Sequence, residues 1–172
     1  MVKFIRPLII TVLLYCAALV QVGFLPRFAI AGQTPNLVFI IFFILVFFED
    51  DYLFFAAAIG GFLLDIFFFP VIGISIVGLY AVWGLQKANA HFFKKSHESR
   101  ILAANFVLSF LMSFIFYTIL FFVFSLIFHF PFTLSWTFLI AVSYNLIVAY
   151  IGFTLFRQLG WAAQEHNQLK LF

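Results

Sequence analysis

The sequence predicts an all-α membrane protein with six transmembrane helices and both termini in the cytoplasm, on three observations. Of its 172 residues 66% are hydrophobic and only 9% charged, with a mean hydropathy of +1.21, whereas soluble domains carry roughly 25% charged residues. Apolar runs such as the one from Ile40 to Phe48 show none of the polar-apolar alternation of a barrel strand, and lipid admits only helices or closed barrels. Eight of the nine Lys and Arg residues also fall on one side of a six-span reading, the asymmetry that marks a cytoplasmic face.

The first span, residues 7–25, follows Lys3 and Arg6 and ends at Pro26. Its basic start and the Ala29-Ile30-Ala31 before Gly32 imitate a secretory signal, but the run exceeds the usual apolar core of about 7 to 15 residues, so a retained anchor is expected. The second span, 36–48, follows Pro35 and stops at Glu49-Asp50-Asp51, acids that cannot stay in lipid. The third, 52–69, reverses at Pro70 into the fourth, 71–86. Lys87 to Arg100, with His91 and His97, is a polar loop that suits solvent or anionic headgroups. The fifth span, 101–130, would be about 45 Å long as a helix and must tilt or project. The sixth, 133–156, begins after Pro131, and a polar tail from Arg157 to Phe172 closes a single polytopic domain, 1–172.

With six spans, Lys3, Arg6, Lys87, Lys94, Lys95, Arg100, Arg157 and Lys170 share the cytoplasmic side and Arg27 alone lies opposite. Trp83 and Trp161 near inner ends and Trp136 near an outer end fit an interfacial belt. The thirty phenylalanines read as lipid-facing bulk rather than a ligand box. Cys16, the single cysteine, has no intramolecular partner. Metal-binding, nucleotide-binding and acyl-transfer motifs are missing, and no basic face suits nucleic acid. The expectation is a non-enzyme without a cofactor, catalytic set or metal; His129, at the outer end of the fifth span, reads as solvated.

Asp65, in Gly60-Gly61-Phe62-Leu63-Leu64-Asp65, is the residue that needs explaining, because a carboxylate at bilayer depth costs about 2.5 to 3.5 kcal/mol on insertion scales. Ala57, Gly61 and Asp65 recur every four residues beside Ala56 and Gly60, so the carboxylate shares a small-residue face and looks inward. Its depth, about 6 to 8 Å below the outer helix end, makes Gln33, Thr34 and Asn36 of the outer loop, or Arg27, the expected partners. Three roles stay open: a packing pin, a contact to a partner or substrate, and proton transfer. Asn105, Ser109, Ser113 and Tyr117 form a polar stripe on the fifth helix that joins helices, contacts a partner or lines a cavity; Ser143, Tyr144, Asn145 and Tyr150 pose the same choice on the sixth.

Pro35 before an apolar span, the acidic break, and Gly61, Leu63, Leu64, Asp65 and Gly73 together resemble the MreD family of bacterial rod shape-determining membrane proteins. The likeness in motif covers about Gly32 to Leu85; length and span plan agree over most of the chain. Asn36 stands where an acid often follows the proline, and Phe67-Phe68-Phe69 fills a turn that is commonly small and polar, so the sequence departs from the pattern there. The resemblance implies a scaffold of the cell-elongation and peptidoglycan-synthesis machinery that binds MreC beside MreB, RodA and a penicillin-binding transpeptidase, in contact with membrane lipid. It also implies a fold similar to the substrate-binding subunits of energy-coupling-factor transporters, which makes a vitamin or small-solute transport subunit the rival reading.

Overall fold

The computed structural model describes residues 2–48, 53–68, 71–89, 99–130 and 136–168. These form six α-helices: α1 Val2–Gly23, α2 Leu37–Phe47, α3 Leu53–Phe68, α4 Ile74–Asn89, α5 Ser99–Phe128 and α6 Thr137–Gln168. A 3-10 turn, Leu25–Phe28, follows α1. Glu49 to Asp51, Pro70, Pro131 and the loop centre 90–98, with Lys94, Lys95, His91 and His97, lie outside the described residues.

Three boundaries differ from the sequence reading. α1 starts earlier and carries Pro7 within it as its sixth residue, where the ring removes one intrahelical N–H donor. α4 is displaced by three residues toward the C-terminus, its backbone ladder opening with the bond from the Val77 N–H to the Gly73 carbonyl. α6 continues to Gln168 where a polar tail was expected, for Ala162, Ala163, Gln164 and Glu165 are strong helix formers.

Two helical stretches, Ile101–Phe128 and Thr137–Gln158, are long and apolar enough to cross a bilayer. Pro7–Gly23, Leu37–Phe47 and Leu53–Phe68 are apolar but shorter. The outward faces point the same way: Leu8, Leu126 and Ile147 are 64%, 61% and 59% exposed, a dense apolar surface that water disfavours and hydrocarbon accepts.

α2 occupies the interior. From Val38 to Val46 it is buried on almost every side, as expected for a helix apolar all round, and it touches α1, α3, α4 and α6. Its phenylalanines interlock with those of α5 and α6. Phe43 meets Phe110 edge-on at 5.1 Å and Phe47 meets Phe106 at 5.1 Å, while Phe106 stacks on Phe153 at 4.3 Å. Such pairs contribute about 0.5 to 1.5 kcal/mol each beyond their area. This corrects the reading of the phenylalanines as lipid-facing bulk: Phe39, Phe42, Phe43, Phe106, Phe110, Phe121 and Phe153 are fully buried, because lipid provides no hydrophobic drive toward the interior and shape decides which rings go in.

The α1, α3 and α4 side packs differently, through small residues. Ala56, Ala57, Gly60 and Gly61 are buried on α3. A methyl on Gly60 would press on Leu79 of α4 and Val38 of α2, each at 3.3 Å, so three helices converge there. A Cβ on Gly61 would strike the α4 backbone, 2.6 Å from the Ile76 nitrogen. Gly61→Ala should therefore wedge α3 from α4 and lower stability by about 1 to 3 kcal/mol. Gly84, with nothing within 4 Å, supplies the control: Gly84→Ala should leave the detergent-phase thermal midpoint unchanged or raise it, and equal effects at both glycines would refute the close approach.

Candidate functional site

Asp65 is 1% exposed, and both its oxygens are engaged. The Gly73 N–H donates to Oδ2 at 2.7 Å and the Ser75 N–H to Oδ1 at 2.8 Å. These amides open α4, whose first intrahelical bond runs from the Val77 N–H to the Gly73 carbonyl, so helix geometry leaves them without a partner of their own. Buried without an acceptor, such an orphan costs about 1 to 3 kcal/mol. Asp65 removes that cost. Its charge sits near the C-terminal end of its own helix, an unfavourable place for an anion, but faces the positive N-terminal end of α4. Gly73 permits the turn, since its φ of +106 is closed to most side chains.

Gly61, Asp65 and Gly73 thus belong to one joint: Gly61 admits the α4 backbone, Asp65 caps it and Gly73 shapes the approach. The expected partners of Asp65 are not the ones found. Asn36 caps α2 instead, Gln33 and Thr34 are half-buried in the loop, and Arg27 lies exposed on the 3-10 turn. Amides eight and ten residues onward close on the carboxylate with little loop entropy, and both oxygens are then taken. Phe67 and Phe68 belong to the last turn of α3 rather than to a connecting turn, and Phe69 lies outside the described residues.

A second joint serves α2. The Asn36 N–H donates to Asn145 Oδ1 at 2.7 Å, the Val38 N–H to Gln21 Oε1 at 3.3 Å and the Phe39 N–H to Asn36 Oδ1 at 3.0 Å. The helix start is thereby held by α1, by its own N-cap and by α6. Asn145 also anchors itself by donating to the Ala141 carbonyl at 2.8 Å, and Pro35, buried just before the cap, turns the chain into it. Before Pro35, Ala31 and Gly32 take φ values of 50 and 76 in a tight turn closed by two Ile30–Gln33 backbone bonds, the geometry of a type I′ hairpin.

The α5 stripe faces α4. Gln86 Nε2 donates to Ser113 Oγ at 2.6 Å and reaches the Ser109 carbonyl at 3.4 Å. The Tyr117 ring lies on Gly78, where a methyl would come within 2.7 Å of it. The Tyr117 and Ser75 hydroxyls are both buried without a hydrogen-bond partner among the described residues. Asn105 is half-buried and Ala57 fully buried; His129 is exposed, with φ 55. Gln21, Ser75, Gln86 and Gly78 were missed in the sequence. A glutamine inside the first apolar run was the one signal available for Gln21.

Chemically, the arrangement satisfies backbone donors and joins helices. Among the described residues, no three His, Cys, Asp or Glu side chains come together to hold a metal. No family model, curated protein or solved structure matches the chain.

Asp65→Asn keeps the shape but turns an amide NH2 toward one of the two donors, so it should lower stability in detergent by about 2 kcal/mol. Asp65→Ala should lower it at least as much and speed hydrogen exchange at the Gly73 and Ser75 amides, leaving the Val38 and Phe39 amides protected. Asn145→Ala should speed exchange at the Asn36 amide and leave the Gly73 and Ser75 amides protected. Unchanged exchange at Gly73 and Ser75 in Asp65→Ala would dismiss the cap.

Proposed function

We propose that this chain is a non-catalytic, multi-pass scaffold of the bacterial cytoplasmic membrane, of the MreD kind. It spans the membrane six times with both termini in the cytoplasm, binds MreC, and works beside MreB, RodA and a penicillin-binding transpeptidase in cell-wall elongation. The observation that carries this reading is the joint made by Gly61, Asp65 and Gly73, three of the six residues on which the sequence resemblance rests. They serve a single mechanical purpose, which is to lock α3 against α4.

The two capped helix starts also support this reading over a solute-binding subunit. Such a subunit needs polar groups converging on a ligand, whereas Asp65 holds the start of α4, Asn36 with Asn145 holds the start of α2, and Arg27 and His129 lie exposed. A locked bundle with apolar outer faces suits a protein that presents rigid helix surfaces to other membrane proteins.

The short helices are compatible with the six-span plan. α2, at eleven residues, is about 16 Å long and cannot cross hydrocarbon of about 30 Å alone, but side chains complete its start inside the protein, the condition under which backbone ends are tolerated at membrane depth.

The test is an affinity pull-down of the tagged chain from native bacterial membranes, repeated with Asp65→Ala at matched expression. MreC and the elongation synthases should come down with the wild-type chain and be reduced several-fold with the variant. Capture of a transporter ATPase module in their place would turn the reading to solute uptake.

A further inference from the structure

The reversal between α3 and α4 shows no polar side chain to its surroundings. From Leu53 to Leu79 the sequence holds two, Asp65 and Ser75, and both are buried. The described residues that point outward at the tip are Ile66, Phe67, Phe68 and Ile72, the last of them 68% exposed. The other two reversals at this end of the bundle carry polar groups on the surface, with Arg27 exposed between α1 and α2 and His129 exposed after α5. At the start of α4 the Gly73 and Ser75 amides are met by Asp65, where a turn at the membrane surface could leave them to water.

The tip also stops short of its neighbour. α4 and α5 run antiparallel, with Gln86 bonded to Ser113 and Gly78 under the Tyr117 ring, so Gly78 and Tyr117 mark a common level. From that level α5 continues to Phe128, about 16 Å, whereas α4 reaches its first residue, Ile74, in about 6 Å. On α3, Phe68 lies less than one turn beyond Asp65, whose oxygens hold Gly73 and Ser75, so the whole tip ends about 9 Å from the level of Tyr117. The remaining length of α5, about 7 Å, is still apolar: Leu126, Ile127 and Phe128 are each more than half exposed. Hydrocarbon that surrounds those residues extends past the tip.

We propose that the α3–α4 reversal does not reach water: it ends within the hydrocarbon of its leaflet, and lipid acyl chains close over Ile72 and Phe68. The proposal rests on the membrane-spanning reading of the chain, but not on which proteins it assembles with. Hydrocarbon tolerates irregular backbone only where the protein satisfies its polar groups from within, and that is what Asp65 does for Gly73 and Ser75. A tip without an exposed polar side chain gives a partner helix no hydrogen bond by which to fix its register, whereas acyl chains need none.

The test places single cysteines in the full chain, with Cys16→Ser as background, in nanodiscs of phosphatidylethanolamine and phosphatidylglycerol that leave both membrane faces open to reagent. A membrane-impermeant maleimide should modify Trp136→Cys, at an 85% exposed position, at least about tenfold faster than Ile72→Cys, because the reactive thiolate is disfavoured away from water. Unfolding in dodecyl sulfate should make the two equal. A nitroxide on the same cysteine identifies the cover: at Ile72 it should collide with lipid-soluble oxygen more than with an aqueous nickel chelate, and report a greater depth than at Phe128→Cys. Phe68→Cys repeats both measurements should Ile72→Cys fail to fold. Labelling of Ile72→Cys as fast as Trp136→Cys, or a depth no greater than at Phe128→Cys, overturns the proposal. So does a nitroxide at Ile72 closed to oxygen and chelate alike, which puts protein, such as a second copy of the chain, over the tip. Ile119→Cys, on the exposed face of α5, tests the underlying reading separately: labelling there as fast as at Trp136→Cys would remove the membrane span itself, and the proposal with it.

Discussion

A backbone N–H that begins a helix away from water has to find an acceptor, and this constraint organises the molecule. Two of the six helices, α2 and α4, start where neighbouring chain surrounds them, and neither can supply acceptors for its own first amides beyond Asn36. The acceptors come from other helices: Asp65 on α3, Gln21 on α1 and Asn145 on α6. Each buried polar side chain of this set is therefore tied to a particular neighbour. Apolar packing alone would let the helices slide or rotate at small cost, because lipid offers the same surface as a neighbouring helix; an unpaired amide does not permit that freedom.

The two halves of the bundle reach close packing by opposite means. On the α3 and α4 side the side chains nearly vanish, so that backbone meets backbone at Gly61 and Ile76. On the α2, α5 and α6 side bulk does the work, with rings set edge to face from Phe39 to Phe106 and Phe106 stacked on Phe153. α2 mediates between them, since Val38 lies against the Gly60 backbone while Phe39 and Phe43 face α5. The polar stripe of α5 belongs to this division: Tyr117 rests on Gly78 and Ser113 receives Gln86, which fastens the aromatic half to the small-residue half across α4.

Helix number and most helix limits were legible in the sequence, because Pro, Gly and charge punctuate apolar runs for reasons that need no tertiary knowledge. The inward face of Asp65 was legible too, from four-residue spacing with Ala57 and Gly61. Its partner was not. Estimating depth from helix rise brings Asp65 level with Gln33, Thr34 and Asn36, but level is not azimuth, and nothing in the linear order tells that Asn36 is held by Asn145 from the far end of the chain. The phenylalanines failed for a related reason. Hydropathy separates water from oil, whereas in this protein both the core and the surroundings are oily, so Phe43 and Leu126 look alike until packing distinguishes them.

The motif and the function therefore stand in an indirect relation. A Gly, an Asp and a second Gly at these spacings build a helix hairpin whose end is sealed by its own carboxylate, a solution any membrane protein with a tight α3–α4 reversal can use. Fold-level likeness of this sort constrains architecture more strongly than activity. What the joint contributes to a scaffold is rigidity: with α3 and α4 fixed to each other, and α5 fixed to α4 through Gln86 and Tyr117, the exposed faces of three helices keep one mutual arrangement. A partner helix that reads such a surface binds without first ordering it, and it is this pre-organisation, rather than any group of Asp65 offered outward, through which a buried carboxylate can govern assembly.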